Sequence, residues 1–175
     1  MVYLHSWHLL QRKPPMVKIN GQVITLSPRY FDTLFGEWFS WKTAYLPRFS
    51  VKGMTFLDVG AGCGETALFY FSLGAAKVIC VEPDRENMEM LRNNALRNGW
   101  NVETILGGFE PEMLEWKFDF MKMDCEGCEK TLLDLKSLPP CAIEVHGSET
   151  YRRFVDRFHV RTVSKDRETW IVQSS

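Results

Sequence analysis

The sequence contains no long apolar run, because no stretch approaches the roughly eighteen residues that a membrane-spanning helix needs. It also lacks an excess of charge of one sign. The formal net charge at pH 7 is −1, so the chain as a whole shows no nucleic-acid signature. Residues 1–10 lack the cationic-then-apolar order of a signal peptide. We therefore expect a cytoplasmic protein that has no membrane partner.

Cysteine is scarce, and its pattern argues against an extracellular disulfide framework. The five cysteines are an odd number and lie scattered through predicted strands and turns. We therefore predict reduced thiols. The sequence also lacks internal repeats and low-complexity tracts. Its 175 residues, 45% of them hydrophobic, predict one globular domain with a sizeable core.

Residues 1–54 differ in pattern from residues 55–175, and we predict that they form a hairpin and an aromatic helix that serve as a packing or lid element. The hairpin is indicated by Asn20-Gly21 between two short β-branched arms. Ser27-Pro28 is typical of a helix start, and we expect this helix to run to about Tyr45. It carries too many aromatic residues for one surface stripe. We expect it to pack as core, with a roof over a substrate pocket or a dimer face as alternatives.

The most informative stretch is a short apolar run, residues 55–59, that leads into glycines on alternate positions. These glycines are Gly60, Gly62 and Gly64, and helix-forming residues follow them. Alternate glycines make a tight strand-to-helix turn whose backbone can touch a ligand, because no Cβ intervenes. Asp58 lies where the strand ends, so we expect its carboxylate to face that ligand.

The spacing of these glycines differs from the G-x-G-x-x-G fingerprint of dinucleotide-binding proteins. A carboxylate at the mouth of the turn would repel a pyrophosphate, but it suits a cationic or amino-bearing ligand. Asp58 and the three glycines therefore resemble motif I of the class I S-adenosylmethionine-dependent methyltransferases, whose ligand carries a sulfonium and an α-amino group. A glycine-rich turn in an ordinary α/β domain and a nicotinamide site are the alternatives.

From residue 54 onward, predicted strands and helices alternate. The predicted strands are 55–59, 77–82, 102–106, 118–123 and 141–145. The predicted helices are 65–73, 85–97, 129–135 and 148–158, and a closing hairpin covers 160–163 and 169–172. This alternation predicts a Rossmann-like α/β fold, a mostly parallel seven-stranded sheet with helices on both faces and a C-terminal antiparallel hairpin.

Five residues fall at the predicted carboxyl ends of these strands, where ligands of open α/β sheets bind. They are Asp58, Glu82, Gly107, Asp124 and His146. We expect them to share one rim. Glu82 is placed to accept hydrogen bonds from a ribose diol, although a carboxylate beside Pro83-Asp84 could instead cap the next helix. Gly107-Gly108 indicates either close passage of an adenine ring or a plain turn.

Residues 122–129 place three acids within six residues at a strand end, together with Cys125 and Cys128. Such acids repel one another unless a positive or proton-sharing group is present, which fits a cationic cofactor. We do not interpret the cysteines as a zinc or redox site, because no second Cys or His pair at ligand spacing accompanies them. A hard cation on Asp124 and Glu126 would lack a third clear ligand, so we predict no metal site.

Three blocks together resemble the FkbM-type methyltransferases over about residues 54–147. The blocks are residues 58–62 (Asp-Val-Gly-Ala-Gly), 122–129 (Lys-Met-Asp-Cys-Glu-Gly-Cys-Glu) and 143–146 (Ile-Glu-Val-His). The resemblance implies S-adenosylmethionine as the cofactor and O-methylation of a sugar or another small-molecule hydroxyl. It places Asp124, Glu126 and His146 near the transferred methyl group. Together with the strand-end positions above, the residues predicted to hold the cofactor are Asp58, Gly60, Ala61, Gly62, Gly64, Glu82, Pro83, Gly107, Gly108 and Asp124.

His146 is the predicted general base for a hydroxyl acceptor, because an imidazole exchanges protons near neutral pH. Asp124 is the second candidate for that role, and a purely structural histidine is the alternative. A rival function is RNA methylation, since the C-terminal segment is basic, although a solvated helix face has the same composition. Its basic residues are Arg152, Arg153, Arg157, Arg161, Lys165 and Arg167. A non-catalytic cofactor-binding subunit is a further alternative. We expect a monomer or a homodimer, with nucleic acid disfavoured as a partner.

Overall fold

The computed structural model describes Tyr3, Leu4 and residues 14–174. The signal-peptide expectation concerns residues 1–10, and all of these except Tyr3 and Leu4 lie outside the described ranges. Within those ranges, no helix combines the length and the apolar character needed to cross a membrane.

The N-terminal section contains a small antiparallel sheet. Its strands, in spatial order, are β1 (Tyr3–Leu4), β2 (Met16–Ile19) and β3 (Gln22–Thr25). The predicted hairpin is confirmed, because Asn20 and Gly21 have positive φ values of 49° and 85°, as a tight two-residue turn requires. The last strand is fastened to the rest of the chain by Asn94, whose Oδ1 accepts from the backbone N–H of Thr25 at 2.8 Å.

The aromatic helix predicted to reach Tyr45 is two helices in the structure, α1 (Pro28–Glu37) and α2 (Trp41–Ala44). The break falls at residues 38–40. There the Ser40 hydroxyl donates to the carbonyl oxygen of Glu37 at 2.7 Å, which gives a carbonyl at the helix end a partner. The break lets the second helix turn its tryptophan into the core.

The main sheet confirms the predicted Rossmann-like α/β fold. Its strands are β4 (Thr55–Val59), β5 (Lys77–Glu82), β6 (Val102–Leu106), β7 (Phe120–Met123), β8 (Cys141–His146), β9 (Arg161–Asp166) and β10 (Thr169–Ser174). Their spatial order is β6-β5-β4-β7-β8-β10-β9. The strands from β4 to β8 pair in parallel. The C-terminal strand β10 is antiparallel to both β8 and β9, so the predicted closing hairpin is present.

The other helices connect these strands, and one prediction fails here. They are α3 (Glu65–Ser72), α4 (Arg85–Asn98) and α5 (Ser148–Arg157), with 3₁₀ segments at Pro111–Glu115 and Cys128–Asp134. Asp84 is the N-cap of α4, because its Oδ1 accepts from the backbone N–H of Asn87 at 2.9 Å. The predicted α-helix over 129–135 is instead the second 3₁₀ segment. A connection this short is where the tighter helix is usually found.

The central strands alternate between two apolar cores, one on each face of the sheet, as the two-residue repeat of a strand requires. Phe56 and Val78 belong to one core, whereas Leu57 and Ile79 belong to the other. Trp41 of α2 is buried in the first core. The N-terminal section therefore covers one face of the sheet and leaves the carboxyl ends of the strands open.

Candidate active site

A cavity of about 440 Å³ lies at the carboxyl ends of β4, β5 and β7, with α1 along one side. Its lining contains many of the residues that the sequence singled out. They are Gly60, Glu82, Pro83, Gly107, Gly108, Asp124 and Glu126. The remaining cofactor candidates, Asp58, Ala61, Gly62 and Gly64, lie outside the lining. The topology thus gathers residues from four strand ends, but not every motif residue reaches the cavity.

Gly60 is the glycine that the fold requires most strictly. Its φ is +76°, and a Cβ built on it would lie 1.8 Å from the carbonyl oxygen of Asp124. The backbone after β4 therefore passes directly against the backbone after β7. Gly64 has a different role, because it is the N-cap of α3 and adopts a left-handed conformation with a φ of +92°. These glycines shape the turn, and the first of them also exposes backbone to the cavity.

Asp58 does not face the cavity as the sequence led us to expect. It is wholly buried, and its Oδ2 accepts a hydrogen bond from the Thr66 hydroxyl. Its Oδ1 lies 3.3 Å from the ammonium of Lys122, a residue that is itself 2% exposed. Burial lowers the pKa of Lys122, but the carboxylates of Asp58 and Asp124 outweigh it and hold that pKa above its usual value. Asp58 is therefore part of a buried ion pair below the floor of the cavity.

Glu82 lies in the lining and is held by several N–H groups at once. Its Oε2 accepts from the backbone N–H of Gly62 at 2.9 Å, and its Oε1 accepts from that of Asp84 at 3.1 Å. The side chain of Asn87 donates to the same Oε1 at 3.3 Å. Glu82 does not cap α4, because Asp84 is the N-cap of that helix, and these three donors instead fix a carboxylate that borders the cavity.

Glu65 and Tyr30 line the cavity, although sequence reasoning did not select them. Glu65 Oε2 accepts from the backbone N–H of Cys63 at 3.0 Å, and burial raises the pKa of Glu65 to about 8. Burial, aided by Glu82 and Glu65, also raises the pKa of the Tyr30 hydroxyl. Glu65 could have been selected from the sequence, because it directly follows the third glycine of the turn. Tyr30 could not have been selected in this way, because it lies on α1, outside the glycine-rich stretch.

Four carboxylates surround His146, and we call this group the His146 cluster. Its members are Asp124, Glu126, Glu129, Glu144 and His146. The imidazole Nε2 lies 3.6 Å from Glu126 Oε2 and 3.6 Å from Glu144 Oε1, and Nδ1 lies 3.5 Å from Glu129 Oε1. The structure thus brings together the three residues predicted near the methyl group. Glu144 was missed as a site residue, although residues 144 and 146 alternate on one strand and so share a face.

Glu144 is oriented by Tyr45, whose hydroxyl donates to its Oε2 at 2.8 Å. Burial raises the pKa of Glu144 to about 7, and the neighbouring Asp124 carboxylate adds to that rise. Glu37 of α1 borders the same end of the cavity, and burial raises its pKa as well. This end of the cavity therefore carries acids whose ionisation is opposed by burial.

The α1 helix has one side in the core and another side along the cavity, while its role as a packing element, a roof or a dimer face stays a prediction. Leu34 is buried in the core, whereas Tyr30, Thr33 and Glu37 line the cavity. Arg29 reaches across the mouth to Glu126, with 2.9 Å between Nη2 and Oε1. Both side chains are exposed, so this ion pair is worth at most about 1 kcal/mol.

The prediction of five reduced cysteines is wrong at two positions, because Cys125 and Cys128 form a disulfide. The free cysteines, all buried, are Cys63, Cys80 and Cys141. Glu126 and Gly127 both have positive φ values, 56° and 124°, which turn the chain back on itself. The two Cα atoms are consequently 5.5 Å apart, a separation that a disulfide spans. The sequence spacing alone did not reveal this turn.

Comparison with known proteins identifies the fold of the chain but does not assign the chain to a family. No family model matches the chain. Over 90 residues it is 34% identical to the tRNA wybutosine-synthesizing protein 2 of Schizosaccharomyces pombe, a match that covers 51% of this chain and 21% of that protein. Over 73 residues it is 36% identical to the ribosomal protein L11 methyltransferase of Escherichia coli, which covers 41% of this chain and 25% of that protein. The chain thus matches a quarter or less of the length of these relatives.

A solved structure extends the likeness to nearly the whole chain. M. jannaschii TYW2 in complex with AdoMet is similar with a TM-score of 0.64 and 20% sequence identity, over 91% of this chain and 83% of that chain. A likeness at this identity establishes the architecture. The chain has the Rossmann-like fold of the class I S-adenosylmethionine-dependent methyltransferases.

Proposed function

We propose that this chain is an S-adenosylmethionine-dependent methyltransferase whose cofactor binds in the cavity at the carboxyl ends of β4, β5 and β7. The observation that carries the proposal is the convergence of Gly60, Glu82 and Gly107-Gly108 on one cavity from three neighbouring parallel strands. The methyltransferase relative and the AdoMet complex of similar fold support it.

The lining suits this cofactor chemically. Gly60 lines the cavity, and its missing Cβ lets the backbone after β4 pass against the backbone after β7, which places both strand ends beside the ligand. Glu82 would accept hydrogen bonds from the ribose hydroxyls, and its three N–H partners hold it ready for that task. Gly107-Gly108 would border the adenine. When bound, the cofactor supplies a methyl group on a sulfonium, and the acids around the cavity are compatible with that positive charge.

The acceptor in this proposal is a small molecule with a hydroxyl group, methylated on oxygen. Such a hydroxyl must lose its proton as it reacts, and the His146 cluster offers atoms that can accept it. Nε2 of His146 and the carboxylate of Asp124 remain the predicted proton acceptors. The FkbM-type resemblance supports an oxygen acceptor. Because several carboxylates border this end of the cavity, a phosphate-rich acceptor would be repelled there.

Methylation of RNA is the second candidate, favoured by a relative that is a tRNA wybutosine-synthesizing protein. The basic residues of the C-terminal segment support it, since all of them are exposed. They are Arg152, Arg153, Arg157, Arg161, Lys165 and Arg167. This candidate predicts that bulk tRNA binds and that the binding weakens steeply with salt. Affinity that is absent, or insensitive to salt, would remove it.

Calorimetric titration of the purified chain tests the proposal. We expect S-adenosylhomocysteine to bind and NAD not to bind. Glu82→Gln should weaken S-adenosylhomocysteine at least about tenfold, because the ribose loses a charged acceptor. Glu103→Gln is the control, since this exposed carboxylate on β6 lies away from the cavity and pairs with Lys77 on the surface. Binding of NAD alone, or of neither compound, would refute the proposal.

A methyl-transfer assay on hydroxyl-bearing acceptors then separates an enzyme from a non-catalytic binding subunit. Binding of S-adenosylhomocysteine with neither methyl transfer nor hydrolysis of the cofactor would favour the subunit. Salt-sensitive methylation of tRNA would instead favour the RNA candidate.

A further inference from the structure

The sequence predicted no metal site, because Asp124 and Glu126 lacked a third ligand. The structure places two further ligands beside Asp124. We propose that Asp124, Glu144 and His146 form a binding site for one divalent first-row cation such as Mn²⁺.

The three side chains converge because their strands end together. Asp124 directly follows β7, Glu144 and His146 lie on β8, and these two strands pair in parallel. Each side chain offers one ligand atom, and all three atoms lie within 4.8 Å of one another. Metal–ligand bonds of about 2.0–2.2 Å place neighbouring ligand atoms about 3–4 Å apart. The cluster is therefore near the spacing of a coordination sphere and would need only small side-chain movements.

The charges of the cluster are not balanced by the cations near it. Lys122 lies 3.3 Å from Asp58 and 3.9 Å from Asp124, so its ammonium is engaged mainly below the cavity. Arg29 pairs with Glu126 at the mouth. Within the part of the chain that the structure describes, the salt bridges of Glu129 and Glu144 are with His146 alone. A bound divalent cation would supply the missing positive charge.

The two nitrogens of the imidazole face different carboxylates. Nδ1 of His146 is buried and has no hydrogen-bond partner among the described residues. Nε2 lies 3.6 Å from two carboxylate oxygens, which is longer than a hydrogen bond. Nε2 thus faces Glu144, one of the proposed ligands, without a hydrogen bond to it, whereas Nδ1 faces Glu129. Tyr45 fixes the Glu144 carboxylate from behind, the kind of support that metal-binding carboxylates receive.

The donor set selects the type of cation. Two carboxylates favour Mg²⁺, Ca²⁺ or Mn²⁺, whereas one imidazole favours later first-row ions. Mn²⁺ accepts both kinds of donor, so we name it as the probe. The consequence for catalysis rests on the proposed function: with His146 and Asp124 as its ligands, the cation would hold an oxygen of the acceptor beside the cofactor and lower the pKa of that hydroxyl, in place of their role as proton acceptors. The proposed cation site itself does not depend on that function.

Titration with Mn²⁺, followed by the loss of the free-ion signal in electron paramagnetic resonance, tests the site on the whole chain. We expect one Mn²⁺ to bind per chain. Glu144→Gln and His146→Gln, which nearly preserve side-chain volume, should each weaken it at least about tenfold, and Tyr45→Phe by about tenfold. Glu103→Gln should bind as the unchanged protein does. Circular dichroism checks that every variant is folded.

The proposal is overturned if the free-ion signal does not fall when the protein is in excess. It is equally overturned if the cluster variants and Glu103→Gln bind Mn²⁺ alike. Titration of the same samples with S-adenosylhomocysteine keeps the two proposals apart. In the unchanged protein, absence of Mn²⁺ binding with normal binding of S-adenosylhomocysteine would remove the cation site alone, and Mn²⁺ binding without binding of S-adenosylhomocysteine would remove the cofactor assignment alone.

Discussion

Replacement of Gly60 by alanine tests the closest approach in the fold. The added Cβ would lie 1.8 Å from the carbonyl oxygen of Asp124 and 2.8 Å from its carbonyl carbon. Both atoms are backbone, so no rotation of a side chain can relieve the overlap. The φ of +76° is also unfavourable for any residue with a Cβ. The backbone after β4 or after β7 must therefore move.

The cost follows from these two effects. A non-glycine residue in the left-handed region costs about 1–2 kcal/mol. Forcing an extra methyl group into a packed site costs a further 1–3 kcal/mol or so. We expect Gly60→Ala to lower the free energy of unfolding by about 2–5 kcal/mol, a large share of the roughly 5–15 kcal/mol typical of a domain. Cofactor affinity should fall as well, because the displaced backbone forms part of the cavity lining.

Urea denaturation monitored by tryptophan fluorescence measures this loss, with Gly36→Ala as the matched control. Gly36 lies in α1, and a Cβ there meets nothing within 4 Å. Its replacement should raise the free energy of unfolding by about 0.5–1 kcal/mol, since alanine is the better helix former. If Gly60→Ala unfolds at the same urea concentration as Gly36→Ala, the close contact between the two loops does not exist.

Three further changes test other parts of the site. Lys122→Met should lower the free energy of unfolding, measured in urea, by about 3–5 kcal/mol, because it leaves Asp58 charged and buried. Adding Asp58→Asn should recover part of this loss, and a double variant without any recovery would contradict the buried ion pair of Asp58 and Lys122. Burial raises the pKa of Glu65 from its ordinary value of 4.5 to about 8 in the folded chain. The folded state therefore holds the proton more tightly and loses stability as the pH rises from about 4.5 to 8. Glu65→Gln should therefore become progressively more stable than the unchanged protein across that range, and parallel stability curves in thermal denaturation would refute the shift. His146→Ala should retain affinity for S-adenosylhomocysteine in calorimetry and lose about 10² or more in turnover with its acceptor, whereas unchanged turnover would remove His146 from the reaction.

Sequence patterns predicted the positions of the strand ends well, because each end is marked locally. Glu82 is followed by a proline, Gly107 follows a β-branched run, and Asp124 ends an apolar strand. Residues at the ends of parallel strands meet once the sheet forms, so their convergence needed no knowledge of side-chain contacts. The fold class followed from the same alternation of strands and helices.

The orientation of Asp58 was not predictable in this way. Its register partner on β7 is Lys122, and the ammonium of that residue draws the carboxylate into the sheet. Which strand lies beside β4 is a property of the whole fold, and the apolar run around Asp58 carries no sign of it. The same limit applies to Glu144, whose partner Tyr45 is 99 residues away in the chain. Local patterns located these acids but did not reveal which of them would be neutralised.

The two ends of the cavity differ in how their carboxylates are neutralised. At the floor, Asp58 is paired with Lys122, and Glu65, with its pKa of about 8, is largely protonated near pH 7. Glu82 is surrounded by N–H donors. The floor can therefore recognise a nucleoside by hydrogen bonds without a strong excess of negative charge. At the other end, the lining carboxylates of the His146 cluster have three cationic partners, which are Lys122 for Asp124, Arg29 for Glu126 and the imidazole for Glu144. His146 and Glu129 lie outside the lining. The imidazole is shared by three glutamates, so the cluster carries more acids than cations, and the proposed divalent cation beside His146 would add positive charge there without placing a charge in the nucleoside pocket.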